Sequence, residues 1–129
     1  MTDYFEALYS TLSTDVDVPG RAPGGIHPII AEPVPAGAYL TISETGIEGD
    51  NAHNEYTEGA IDVVTMQVTA WSRTFDAARQ LRNVTRIALQ GKVLAGGAIA
   101  VTLSSGFTTY DWQAKLFGFA LVFTLTVKH

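Results

Sequence analysis

The last part of the chain, Thr109 to Val127, is apolar on both sides of an extended backbone. Phe117, Phe119, Leu121, Phe123, Leu125 and Val127 occupy one set of alternate positions, and Leu116, Ala120 and Val122 the other. Successive side chains of a strand point to opposite faces, so such a strand has to run through the middle of a sheet or have its second face covered by another subunit. Gly118 predicts a break or bulge within it. A shorter strand, about Ile99 to Ser105, is expected just before it.

Ala60 to Trp71 reads as a second long strand. Its even positions Val64, Met66, Val68 and Ala70 form an apolar face, while Thr65, Gln67, Thr69 and Trp71 make a mixed one that suits part exposure or an interface. Trp71, at the end of this strand, is expected to pin the next helix to the sheet. Thr74 or Ser72 caps that helix, which runs from Phe75 to about Gln90 and buries Ala77, Ala78, Leu81, Val84 and Ala88. Gly91 ends it, with Lys92 near the negative end of its dipole. Arg79, Arg82 and Arg86 follow at i, i+3 and i+7 and share one exposed face.

The N-terminal part adds a first helix, with Asp3 as cap, Glu6 three positions on as in a capping box, and Phe5, Leu8 and Leu12 as its stripe. All five prolines lie between residues 16 and 37. That segment is expected to be a non-helical ordered arm with one extended piece, Ile26 to Ala31, burying Ile26, Ile29, Ile30 and Val34. A strand, Ala38 to Ser43, precedes a polar acidic loop from 46 to 59. The expected fold is α+β: one domain over residues 1–129, two helices on a mainly antiparallel sheet, in the order α-β-β-β-α-β-β.

Charge is split along the chain. Residues 1–62 hold eleven acids and one base, Arg21, for a net −10; residues 63–129 hold two acids and seven bases, for a net +5. This pattern suits two copies meeting with opposite charges facing better than it suits a grip on nucleic acid. The expected interface residues are Arg79, Arg82 and Arg86 on one side and Glu44, Glu48, Asp50, Glu55 and Glu58 on the other.

Chemistry finds little to use. There is no cysteine, so disulfides, thiolate metal sites and a thiol nucleophile are excluded. His27 precedes Pro28 and is read as ordering the arm, and His129 is terminal. The loop around His53 matches neither a calcium loop nor a two-histidine zinc helix, so no metal and no cofactor are expected. No nucleophile elbow or phosphate loop is present. Acids near the N-terminus oppose a secretion signal, and the longest apolar run, Leu116 to Phe123, is too short to cross a bilayer. A soluble product of the cytoplasm is the expectation. An enzyme or ligand-binding dimer of ferredoxin-like type would have to draw on Tyr39, Tyr56, His53 and Asp111, which nothing in the sequence brings together.

The stretch from Val63 to Leu89 contains VTMQVTAWSRTFDAARQLRNVTRIAL, an alternating strand, a Trp before a polar turn, an aromatic and an alanine-rich helix with leucines. Val64, Gln67, Val68, Trp71, Ser72, Phe75, Ala77, Ala78 and Leu81 carry the pattern. FEALYSTL, the proline-rich arm and YLTIS precede it in order. In these features the chain resembles the phage tail completion family, the lambda-type tail terminators, whose versions also occur in gene transfer agents. The resemblance implies a structural virion subunit with no catalytic residues, synthesised in the bacterial cytoplasm and forming a ring, typically of six. Such a ring caps the tail tube on one face, meets a head or neck connector on the other, and lets DNA through its lumen without specific binding. A different neck, connector or tube subunit is the nearest alternative. The acidic loop and the proline content of the arm depart from the family pattern.

Overall fold

The computed structural model describes residues 3–31, 33–49 and 61–128, positions 48 and 49 by backbone alone. Helix α1 spans Tyr4–Thr14, and the Asp3 carboxylate accepts the amide of Glu6 at 3.0 Å, as the capping pattern requires. Leu8 and Leu12 are fully buried. The expectation that residues 16–37 exclude helix fails at one turn, α2, Val18–Arg21. Proline is tolerated in a first helical turn, where its missing amide has no intrahelical partner to lose. The Asp15 carboxylate accepts the amides of Asp17 and Val18 at 2.9 and 3.1 Å, and Val18 is buried in the core.

Among the described residues six strands form one sheet: β1 Ile26–Pro28, β2 Tyr39–Gly49, β3 Ile61–Ser72, β4 Val93–Leu94, β5 Ile99–Asp111 and β6 Leu116–Lys128. Their order across the sheet is β1-β2-β3-β6-β5-β4. The short β1 runs parallel to β2 and every other pairing is antiparallel. Helix α3, Phe75–Leu89, lies between β3 and β4 in the chain. The α+β class and the mainly antiparallel sheet stand, with three α-helices among the described residues where two were expected and the additional small strand β4.

β6 takes the middle of the sheet between β3 and β5, as its two apolar faces demand. Leu121, Phe123, Leu125 and Val127 of β6, with Val64, Met66, Val68 and Ala70 of β3 and Leu40 and Ile42 of β2, build the main core beneath α1 and α3. From α3 come Leu81, Ala88 and Leu89; Ala77 and Val84, expected in the buried stripe, are half-buried. Gly91 takes the left-handed φ of +71° just past the end of α3. Thr74 is the N-cap of α3 by backbone geometry, yet its side chain caps nothing. The Ser72 hydroxyl instead accepts the amide of Thr74 at 3.3 Å.

Three further expectations are corrected. The acidic loop does not begin at residue 46: β2 continues to Gly49, paired with β3, across a bulge between Glu44 and Gly46. The break placed between Ser105 and Thr109 is in fact strand, and the hairpin turns at 112–115, where the Asp111 carboxylate accepts the amides of Gln113 and Ala114 at 3.0 and 3.1 Å. Gly118 marks no bulge; it pairs regularly with Trp71 and Thr109, and the irregularity of β5 lies between Leu103 and Ser105.

Candidate functional site

Both helices that build the core, α1 and α3, pack on one face of the sheet. The other face carries Tyr39, Thr41 and Ser43 of β2, Val63, Thr65, Gln67, Thr69 and Trp71 of β3, Phe107, Thr109 and Asp111 of β5, and Leu116, Ala120, Val122, Thr124 and Thr126 of β6. No described helix covers it. Trp71 therefore does not hold α3 to the sheet. Its indole lies on the helix-free face, half-buried, donating to the Thr41 hydroxyl at 3.0 Å and packed with Ala31, Tyr39, Ala114 and Leu116.

Beside it lies a cleft of about 280 Å³, lined by Tyr39, Thr41, Trp71, Asp111 and the arm residues Ile29 to Ala31 and Val34. Tyr39 and Asp111, two of the residues an enzyme would need, do meet here. Asp111, however, is engaged in the hairpin turn, and Tyr39 is held away from ionisation: burial pushes its hydroxyl pKa up, the charge of Asp111 adds to the rise, and Arg73 opposes it. Tyr56 and His53 lie outside the described residues. His27 orders the arm as expected, its Nε2–H donating to the Gly24 carbonyl at 2.8 Å and its ring edge-on to Tyr39. Ile26 packs against the core, but Ile29, Ile30 and Val34 do not find the burial expected of them, and Ile29 is 74% exposed at a left-handed φ of +60°. A β-branched residue at that φ is strained.

The arginine row is present on α3 but is drawn into local contacts. Arg79 forms an exposed ion pair with Asp76 one turn back, at 3.0 Å. Arg82 lies over the Phe119 ring, 5.0 Å from its centroid, and donates to Asn83; Arg86 donates to Gln90 at 2.7 Å. On the acidic side Glu44 accepts the Tyr4 hydroxyl at 2.7 Å. Asp50, Glu55 and Glu58 lie outside the described residues, as does the side chain of Glu48. No described ion pair or hydrogen bond joins the row to Glu44 within the chain. Leu81 is fully buried, whereas Phe75 is half exposed.

Phe75 leads to a surface that the sequence reading missed. It stands edge-on to Phe117 and Phe119, with centroids 5.8 and 5.2 Å apart, and Tyr110 contacts both Phe117 and Trp112, at 5.0 and 4.8 Å. Phe75, Tyr110, Trp112 and Phe117 line an apolar cleft of about 500 Å³, and Trp112 at the hairpin tip is 82% exposed. An exposed aromatic cluster of this kind fits a contact between proteins. The signal was Asp111 followed by three residues of no strand pattern, an Asx turn that would have placed Trp112 at a tip.

Among the described residues no group of three or more His, Asp or Glu is placed to hold a metal, and no helix is long and apolar enough to cross a membrane. Among the described residues, then, one sheet face is covered by helices, the other is not, and one edge is aromatic. A sequence profile described as "Tail completion protein gp17" matches residues 6–128, so the chain belongs to the tail completion protein family, whose members are structural proteins of phage tails and not enzymes. No curated protein sequence matches the chain. Among solved structures it is similar to a chain of "Virion of native gene transfer agent (GTA) particle", with a TM-score of 0.74 and 18% identity over 98% of this chain and 95% of that one. At that identity the likeness establishes a shared fold.

Proposed function

We propose that the protein is a ring-forming tail terminator, which closes the tail tube on one face and joins it to a head or neck connector on the other. The observation that carries this reading is the family match across nearly the whole chain. The fold shared with a chain of a gene transfer agent particle supports a virion component, in a virus or in such a particle. The aromatic cluster at the β5–β6 hairpin, with Trp112 82% exposed, supports a contact between proteins on that edge. A ring of overall negative charge, −5 for each chain, lets DNA pass through its lumen without a phosphate-binding term to stall it.

In this reading the arginine row of α3 faces the acidic residues of a neighbouring subunit. The test is native mass measurement across a range of concentration and salt. A single closed ring, of six copies, is expected, with no growth on concentration. A tube subunit would stack indefinitely, and a dimer would favour a ligand-binding module. Arg79→Glu with Arg86→Glu should raise the subunit dissociation constant about tenfold at low salt and flatten its salt dependence, as for several weak exposed pairs acting together. An unchanged ring at low ionic strength would make the row a solvated helix face.

A further inference from the structure

Among the described residues, the two outermost long strands of the sheet each leave part of an edge without a partner. β4 pairs only with Ile99 and Ala100 of β5, and the Gly91–Lys92 segment bonds Val101. From Thr102 to Asp111 no described backbone group meets the outer edge of β5. At the other end of the sheet, β1 pairs with Leu40, Thr41 and Ile42 of β2, and the amide of Ile29 bonds the Ile42 carbonyl. From Ser43 to Gly49 the outer edge of β2 is likewise without a described partner.

An open edge is a template for another strand, and proteins usually blunt it with lysine, proline or inward charges. β5 uses none of these. From Ile99 to Tyr110 it carries no charged residue and no proline, it is rich in threonine, and it presents Phe107 half exposed. A strand of this composition is an aggregation hazard unless its function is to be paired.

We propose that the chain assembles head to tail by strand addition, the outer edge of β5 in one subunit pairing antiparallel with the outer edge of β2 in a second copy. The ring reading supplies the closure on which this rests. Strands β2, β3, β6 and β5 alternate in direction, so a second copy placed beside β5 continues the same antiparallel sheet. Such a contact is heterologous and closes into a ring when the rotation allows. Pairing of β5 with itself would satisfy one edge and leave β2 open. Pairing of β2 with itself would bring acidic positions 44 and 48 of both copies into one short ladder.

The register gives a geometric check. Tyr39, Trp71, Gly118 and Thr109 lie level across the four strands, as do Glu44, Met66, Phe123 and Leu103. The free half of β2 is thus level with the covered start of β5, and pairing the two free halves needs a stagger of about five residues. Over four strands spaced about 4.8 Å apart and rising about 3.4 Å per residue, that stagger tilts the strands by roughly 40° from the ring axis. Closed sheets tilt by about 35–45°. Gly46 and Phe107 then lie near the centre of the new pair, both on the helix-free face.

Because the chain has no cysteine, single disulfides can report the contact. Ser43→Cys is combined in turn with Ser105→Cys, Phe107→Cys and Thr109→Cys, all on the helix-free face, and each double variant is oxidised. At one of these registers a non-reducing gel should show a ladder ending in a single closed band. Amide hydrogen exchange over residues 102–110 should slow at least tenfold between dilute monomer and assembly. If a β5 cysteine alone gives a covalent dimer, the edge pairs with itself and the proposal fails. If a ring forms by mass while no combination cross-links and exchange in β5 is unchanged, the ring uses another surface. A chain that stays monomeric at every concentration overturns the ring reading itself, and this proposal with it.

Discussion

Phe123→Ala should lower the unfolding free energy by about 3–5 kcal/mol, the range for removing a large aromatic side chain from a packed core. Phe123 is the largest fully buried side chain, at the centre of the central strand, level with Met66 of β3 and Leu103 of β5. Small domains are stable by only about 5–15 kcal/mol, so this one change removes a large share of the total. Denaturant titration of the dissociated monomer should show the midpoint falling with the slope unchanged. Phe107→Ala is the internal comparison. Phe107 is half exposed on the helix-free face, and its removal should change monomer stability by no more than about 0.5 kcal/mol. Equal losses at the two positions would mean that the core does not lie under the helices.

Gly118→Val should destabilise the chain by about 2–3 kcal/mol, and Trp71→Ala should relieve most of that loss. A Cβ at Gly118 would stand 2.7 Å from Cζ3 of Trp71 and 2.9 Å from both Cε3 of Trp71 and Cγ2 of Thr109. Two effects oppose each other here. Valine in a strand is intrinsically better than glycine by up to about 1 kcal/mol, whereas forcing bulk into a filled site costs typically about 1–3 kcal/mol. The clash wins because the indole has little freedom, held by its bond to Thr41 and its contacts with Tyr39 and Leu116. With Trp71 cut to alanine the space opens and the strand preference of valine should dominate. A double-mutant cycle should therefore give a coupling of at least about 1 kcal/mol. Additive effects would place the Trp71 ring away from Gly118.

This pair also shows where the sequence was legible and where it was not. The alternation of Val64, Met66, Val68 and Ala70 set the phase of β3 correctly, because a period of two against a one-sided core leaves no other solution. The same pattern could not reveal that Trp71, on the odd face, is covered by Ala31 and Leu116 and not by a helix, since both lie far from it in sequence. Gly118 looked like a breaker when taken alone, and its meaning depends on a ring 47 positions away. The β5–β6 hairpin was misplaced because Ser104-Ser105-Gly106 has turn-like composition, while the true turn contains no glycine or proline and takes its left-handed residue at Lys115, φ +57°. The arginine row was legible as a row. Whom it faces is a property of the assembly and is not written within one chain.

Loss of the gene is the direct test of the proposed role in ending the tail and joining it to the head. A terminator acts after head filling and after tube initiation, so neither step needs it. Electron microscopy of a lysate from a strain deleted for this protein should show DNA-filled heads beside unjoined tails, the tails irregular or excessive in length. Normal joined particles, or empty heads beside tails of normal length, would contradict the account.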